Sequence, residues 1–126
     1  MSLELYRSVQ ATTANPGQLL MLLLDGTLRE TQKARQAFLE GPSGGETCLM
    51  KACLGVSELD RTLNHGPLPE LAEALHRLYL HLLTLLGDAM TARDPEPLGR
   101  AERILAELRD TWREALSQSA PVRMAG

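Results

Sequence analysis

Apolar residues recur at helical spacing over most of the chain, and the breaks between the runs are rich in glycine and proline. The run from Asn15 to Phe38 dominates. Asn15 is a good N-cap, Pro16 suits the first helical position, and Gln18 stands where a capping box takes Glu or Gln, so a helix is predicted over 15–40. It opens with six apolar residues in succession, Leu19 to Leu24. At about 100° per residue they reach more than once around the helix. Leu20, Leu24, Thr27, Leu28, Thr31, Ala34 and Phe38 supply the single stripe that a bundle helix needs. Leu19 and Leu22 point nearly the opposite way, and Gly26 shares their side. Either this helix is packed on both sides, or its second face is a groove for another chain.

Gly41-Pro42-Ser43-Gly44-Gly45 ends that helix, and the next is expected over 46–64. Its stripe is Leu49, Ala52, Cys53, Val56, Leu59 and Leu63, with Met50 and Leu54 together on a flank. Pro69 opens a third long helix, 69–93, with Leu71, Leu75, Leu78, Tyr79, Leu82, Leu86 and Ala89 toward a core. Leu80, Leu83 and Gly87 stand on its back, with His76 one turn earlier. Two leucines and a glycine opposite the core thus occur twice. Asp94-Pro95-Glu96 starts a fourth helix, 94–116, with Leu98, Ala101, Leu105, Leu108, Trp112 and Leu116 on one face. Residues 117–126 lack periodicity and are expected to form a flexible tail. At the other end, 1–14 reads as a cap segment in which residues 2–10 could form a short helix carrying Leu5, Tyr6 and Val9. A helix that short is marginal unless it lies on something. The expected fold is all-α: one domain over 1–116, an antiparallel up-down four-helix bundle with an extra short N-terminal helix.

Composition narrows the function. The chain has 126 residues, 44% apolar but only 3% aromatic, so its core is built of Leu and Ala. A net charge of −3 gives no footprint for nucleic acid or anionic lipid. No run approaches the roughly 20 apolar residues of a membrane span. Met1 to Arg7 lacks the basic start of a secretory leader, so a cytoplasmic protein is expected.

Catalytic chemistry needs convergent polar groups, and the core-facing positions are almost purely apolar. Glu73-x-x-His76 has the spacing of half a di-iron site, but the second Glu-x-x-His and the further glutamates are missing. Cys48 and Cys53 lie about 140° apart on one helix and read as small, largely buried hydrophobes rather than zinc ligands. His65 and His81 are expected to face solvent. No enzyme activity, catalytic residue, cofactor or metal is expected. The surplus apolar helix surface instead favours recognition of an amphipathic segment laid into a groove.

The motifs carry a resemblance. Thr13-Ala14-Asn15-Pro16, followed by Leu19, Leu22-Leu23 and Asp25-Gly26, resembles the T-A-S-P-x-x-L and M-L-Y-D-G motifs of the FliS family of flagellin export chaperones. Asn15 keeps the N-cap, and Leu24 stands where the family commonly has Tyr. Glu58-Leu59-x-x-Thr62-Leu63-Asn64, Leu78-Tyr79 with Ala89, and Leu108-Arg109-Asp110-Thr111-Trp112-Arg113-Glu114-Ala115 are similar to later family segments, in register.

The resemblance implies a cytoplasmic chaperone for the disordered C-terminal segment of flagellin. Such a protein blocks premature polymerisation and helps delivery to the flagellar type III export apparatus, whose export-gate component is a second implied partner. It also implies an N-terminal segment that covers the groove until the client displaces it. Leu19, Leu22, Leu23 and Gly26 are carried over by motif as partner-binding positions. Met50, Leu54, Leu80, Leu83 and Gly87 join them from the helical wheel. A monomer or weak dimer is expected, and the alternative is a homodimeric structural or adaptor bundle that uses the same stripes for self-association.

Overall fold

A computed structural model describes the backbone of residues 16–125 and the side chains of 17–118. The expectations for the 1–14 cap segment and for the Asn15 cap fall outside the described residues. Four helices and no strand are present among them: α1 Pro16–Glu40, α2 Glu46–Arg61, α3 Pro69–Ala92 and α4 Pro95–Ala125.

Their ends follow from local chemistry. Gly44 and Gly45 take φ of 92° and 88°, a left-handed region open to glycine, and this turns the chain from α1 into α2. α2 stops at Arg61, short of the expected Asn64. Its last carbonyls are closed off by Thr62, whose hydroxyl donates to the Leu59 carbonyl at 2.8 Å and whose amide reaches the Glu58 and Leu59 carbonyls. Pro69 opens α3 as expected. Asp94 Oδ1 accepts from the Glu96 amide at 2.9 Å and starts α4. α4 continues past Leu116, the end expected from periodicity, to Ala125.

Each helix packs on two others: α2 lies between α1 and α3, and α4 closes the ring on the far side. Cross-helix pairs fix the levels. Asp25 lies 4.0 Å from both Arg109 and Arg113, Arg35 pairs with Glu102 at 3.2 Å, and His76 meets Asp60 at 2.7 Å. The core joins Leu24, Leu28 and Phe38 of α1 to Leu49, Val56 and Leu59 of α2, Tyr79, Leu82 and Leu86 of α3, and Leu98 and Leu105 of α4. Burial pushes the Tyr79 phenol up to about 12.

Several positions depart from the expected stripes: Leu20, Leu63, Leu75, Leu78, Leu108 and Leu116 are only half-buried. Leu71, in the first turn of α3, is exposed, while Ala72 beside it is buried. Leu85 is buried although it lies off the expected stripe, since α3 must face both α2 and α4. Trp112 is only half-buried against the core.

Arg93 ties one end together. It ends α3 in the left-handed conformation at φ 51°, where a glycine is usual. Its guanidinium lies 4.4 Å from the Phe38 ring centroid, with Nη1 donating to Glu46 Oε1 at 2.6 Å and Nη2 to the Gly44 carbonyl at 2.7 Å. One side chain thus joins α1, the following turn, the start of α2 and the end of α3.

Candidate partner-binding face

Helical periodicity and the cross-helix contacts place two rows on the flanks of α2. On α1, Leu19, Leu23, Gly26 and Glu30 recur at spacings of four, three and four. Residues so spaced share one side of a helix. That side meets α2, because Glu30 stands beside the Cys48 thiol and Thr27 presses on Gly55. On α3, His76, Leu80, Leu83 and Gly87 repeat the same spacing. His76 fixes that row on the other flank of α2 through Asp60. On α2, Asp60 meets α3, Met50, Cys53 and Ser57 recur before it at spacings of three and four, and Leu54 is exposed.

Of the nine positions expected to bind a partner, Leu19, Leu23 and Gly26 stand in the α1 row, Leu80, Leu83 and Gly87 in the α3 row, and Met50 and Leu54 on α2 between them, while Leu22 lies off these rows. Leu22, Met50, Leu54 and Leu80 are exposed by 56%, 59%, 68% and 47%, large values for apolar side chains on an ordered surface. Leu23 and Leu83 are half-buried and lean on the core. Gly26 is half-buried and Gly87 exposed. Leu19, expected on the side away from the core, is buried at 3%, yet it stands outside the main core cluster.

The glycines of this face differ in kind from Gly55. A Cβ at Gly26 or Gly87 would meet nothing within 4 Å. Glycine inside a helix costs about 1 kcal/mol against alanine, and the fold gives no steric return for it at these two positions.

The polar groups beside the face hold structure in place. His76 Nδ1 lies 2.7 Å from Asp60 Oδ1, and this contact raises the His76 pKa above its ordinary 6.5. Thr84 and Thr91 donate their hydroxyls to the Leu80 and Gly87 carbonyls at 3.1 and 3.0 Å. Both cysteines are free and half-buried, less enclosed than expected. Burial raises both thiol pKa values, and Glu30 adds to the rise at Cys48, so neither has the character of a reactive thiolate. His65 and His81 are exposed. Among the described residues no three His, Cys, Asp or Glu side chains gather as metal ligands, and no helix is long and apolar enough to cross a membrane.

Sequence reasoning did not find Glu30, Ser57 and Asp60 as neighbours of the face. Their spacing was available, but which residues meet across two helices depends on axial register, and that is not written in either helix alone.

The family model described as "Flagellar protein FliS" matches residues 2–119. The flagellar secretion chaperone FliS of Bacillus subtilis is 29% identical over 112 residues, covering 88% of this chain and 83% of that protein. The flagellar secretion chaperone FliSB of Pseudomonas aeruginosa is 30% identical over 104 residues, covering 82% of each chain.

Proposed function

The chain belongs to the FliS family of flagellar secretion chaperones, and from that membership we propose that it binds the disordered C-terminal segment of flagellin on the α2-centred face. The family is one of chaperones, not of enzymes. The observation that carries the proposal is the exposure of the large apolar side chains Leu22, Met50, Leu54 and Leu80 on three helices of an ordered bundle. Each large apolar side chain that a client covers is worth roughly 1.5–3 kcal/mol. A handful of them offsets the roughly 2–5 kcal/mol of ordering a disordered segment.

The client so held in the cytoplasm is kept from polymerising early and is handed to the flagellar export apparatus, with the export gate as second partner. The topology that goes with this role is an up-down antiparallel bundle. It is supported by the pairs Asp25 with Arg109, Arg35 with Glu102, and Asp60 with His76. The N-terminal segment acts as an additional helix that covers the face until the client displaces it, and the free chaperone is a monomer or weak dimer.

Titrating the chain with a peptide of the C-terminal segment of the same organism's flagellin tests this. Saturable binding with a negative heat-capacity change is expected. No binding, together with a tight dimer in sedimentation, would make the face a self-association surface instead. The same titration on a chain lacking residues 2–10 tests the cover: affinity equal to or tighter than that of the full chain is expected, and weaker binding rejects it.

A further inference from the structure

Helix-interior glycines in this protein have two different explanations. At Gly55 the space of a Cβ is already filled by Thr27, and at Gly99 it borders the Arg35 side chain, with Nε at 3.5 Å. Gly87 has open space within 4 Å, is exposed, and sits in the row with Leu80 and Leu83, facing the row that begins at Met50. Resting on the reading that this face binds a client, we propose that Gly87 is where a client helix crosses α3 backbone to backbone, with Ala, Ser or Gly of the client seated on it.

The occupant is a helix for a physical reason. Leu80, Leu83 and Met50 offer apolar contact, and the backbone groups of α2 and α3 are engaged inside their own helices. The Thr84 and Thr91 hydroxyls beside the row are turned back onto helix carbonyls. An extended segment pressed here would lose water from its peptide groups and gain no partner for them. A helix arrives with its backbone already paired. Helices that meet through ordinary side chains stay 8–10 Å apart. Over Gly87 the separation can fall below that range, provided the client residue is also small. Leu80 and Met50 then close on the client from either side of the crossing.

Calorimetric titration with the flagellin C-terminal peptide, alongside thermal melts, tests this on the full chain, Gly87→Ala and Asp88→Ala. Gly87→Ala is expected to melt at or above the wild type, since its Cβ has room, yet to bind about tenfold more weakly. The neighbouring Asp88→Ala is expected to bind like the wild type. Unchanged affinity in Gly87→Ala overturns the proposal while leaving the chaperone reading intact, as does an equal loss in Asp88→Ala. If the wild type does not bind the peptide, the functional reading falls and takes this one with it. A wild-type dimer that Gly87→Ala dissociates without peptide would give the site to a second copy and overturn the client assignment.

Discussion

Thr27 of α1 stands where a Cβ on residue 55 of α2 would have to be. Its Oγ1 lies closer to that position than non-bonded atoms approach, with its own Cβ at 3.1 Å and Cγ2 at 3.2 Å. Among the described residues, the buried Thr27 hydroxyl has no hydrogen-bond partner. The two helices therefore meet over a contact shaped by Gly55. Gly55→Ala is expected to destabilise by about 1–3 kcal/mol, as overpacking does, despite alanine's better helix propensity. Adding Thr27→Ala should recover part of the loss in a double-mutant cycle followed by chemical denaturation. Additive losses would show that the two side chains do not compete for the same space.

The Asp60–His76 contact gives stability a pH dependence of defined sign. Asp60 raises the His76 pKa above 6.5, so the folded state binds the proton more tightly than the unfolded state. The contribution is fully present below about 6.5 and is lost as pH rises through the raised value. Asp60→Asn should flatten that part of the curve in melts taken between pH 6 and pH 8, and an NMR titration of His76 should fall back toward the ordinary range. An unchanged His76 titration in the variant would sink the assignment.

Leu22 and Leu24 lie two residues apart and share nothing in environment: Leu24 is fully buried, while Leu22 is 56% exposed. Leu24→Ala should cost about 2–5 kcal/mol, and Leu24→Asp should leave the chain unfolded by circular dichroism. Leu22→Asp should melt near the wild type and lose most of its affinity for the flagellin peptide. If Leu22→Asp unfolds as Leu24→Asp does, the face is core rather than docking surface.

Trp112 is the only tryptophan and packs against the core while half-exposed. Trp112→Ala should cost about 1–3 kcal/mol, below the usual range for a fully enclosed aromatic. The native emission maximum should lie between the buried and water-exposed limits and move to the water-exposed limit on denaturation.

Much of the fold was legible because its signals are local. Pro16, Pro69 and Asp94-Pro95 mark helix starts, and Leu24, Leu28, Val56, Leu82 and Leu105 follow a period set by one helix at a time. What depends on two elements was not legible. Leu71 matches the α3 stripe yet is exposed while Ala72 beside it is buried, and Leu85 is buried because α3 packs on two partners. The Arg93 junction had no sequence signal: a left-handed C-cap normally announces itself with glycine, and here the position is held by what its side chain reaches. The burial of the candidate face was half legible. Spacing gathered Leu80, Leu83 and Gly87 on one side, but Leu19 is buried where the wheel placed it away from the core.

The helices also differ in length, and this gives the bundle a direction. α2 has 16 residues and α1 has 25, so at 1.5 Å per residue α2 runs about 24 Å beside a helix of about 38 Å. Gly45, just before α2, lies against Ala37 and Phe38, and Gly55 lies against Thr27, so the shortfall of roughly 13 Å is shared: about four residues of α1 run past the start of α2 and about five past its end, beside the 62–68 connection. Like a clothes-peg, the molecule has its spring at Arg93 and its mouth between α1 and α3 where α2 gives out. Amides of 60–72 should accordingly exchange with solvent before those of 49–56.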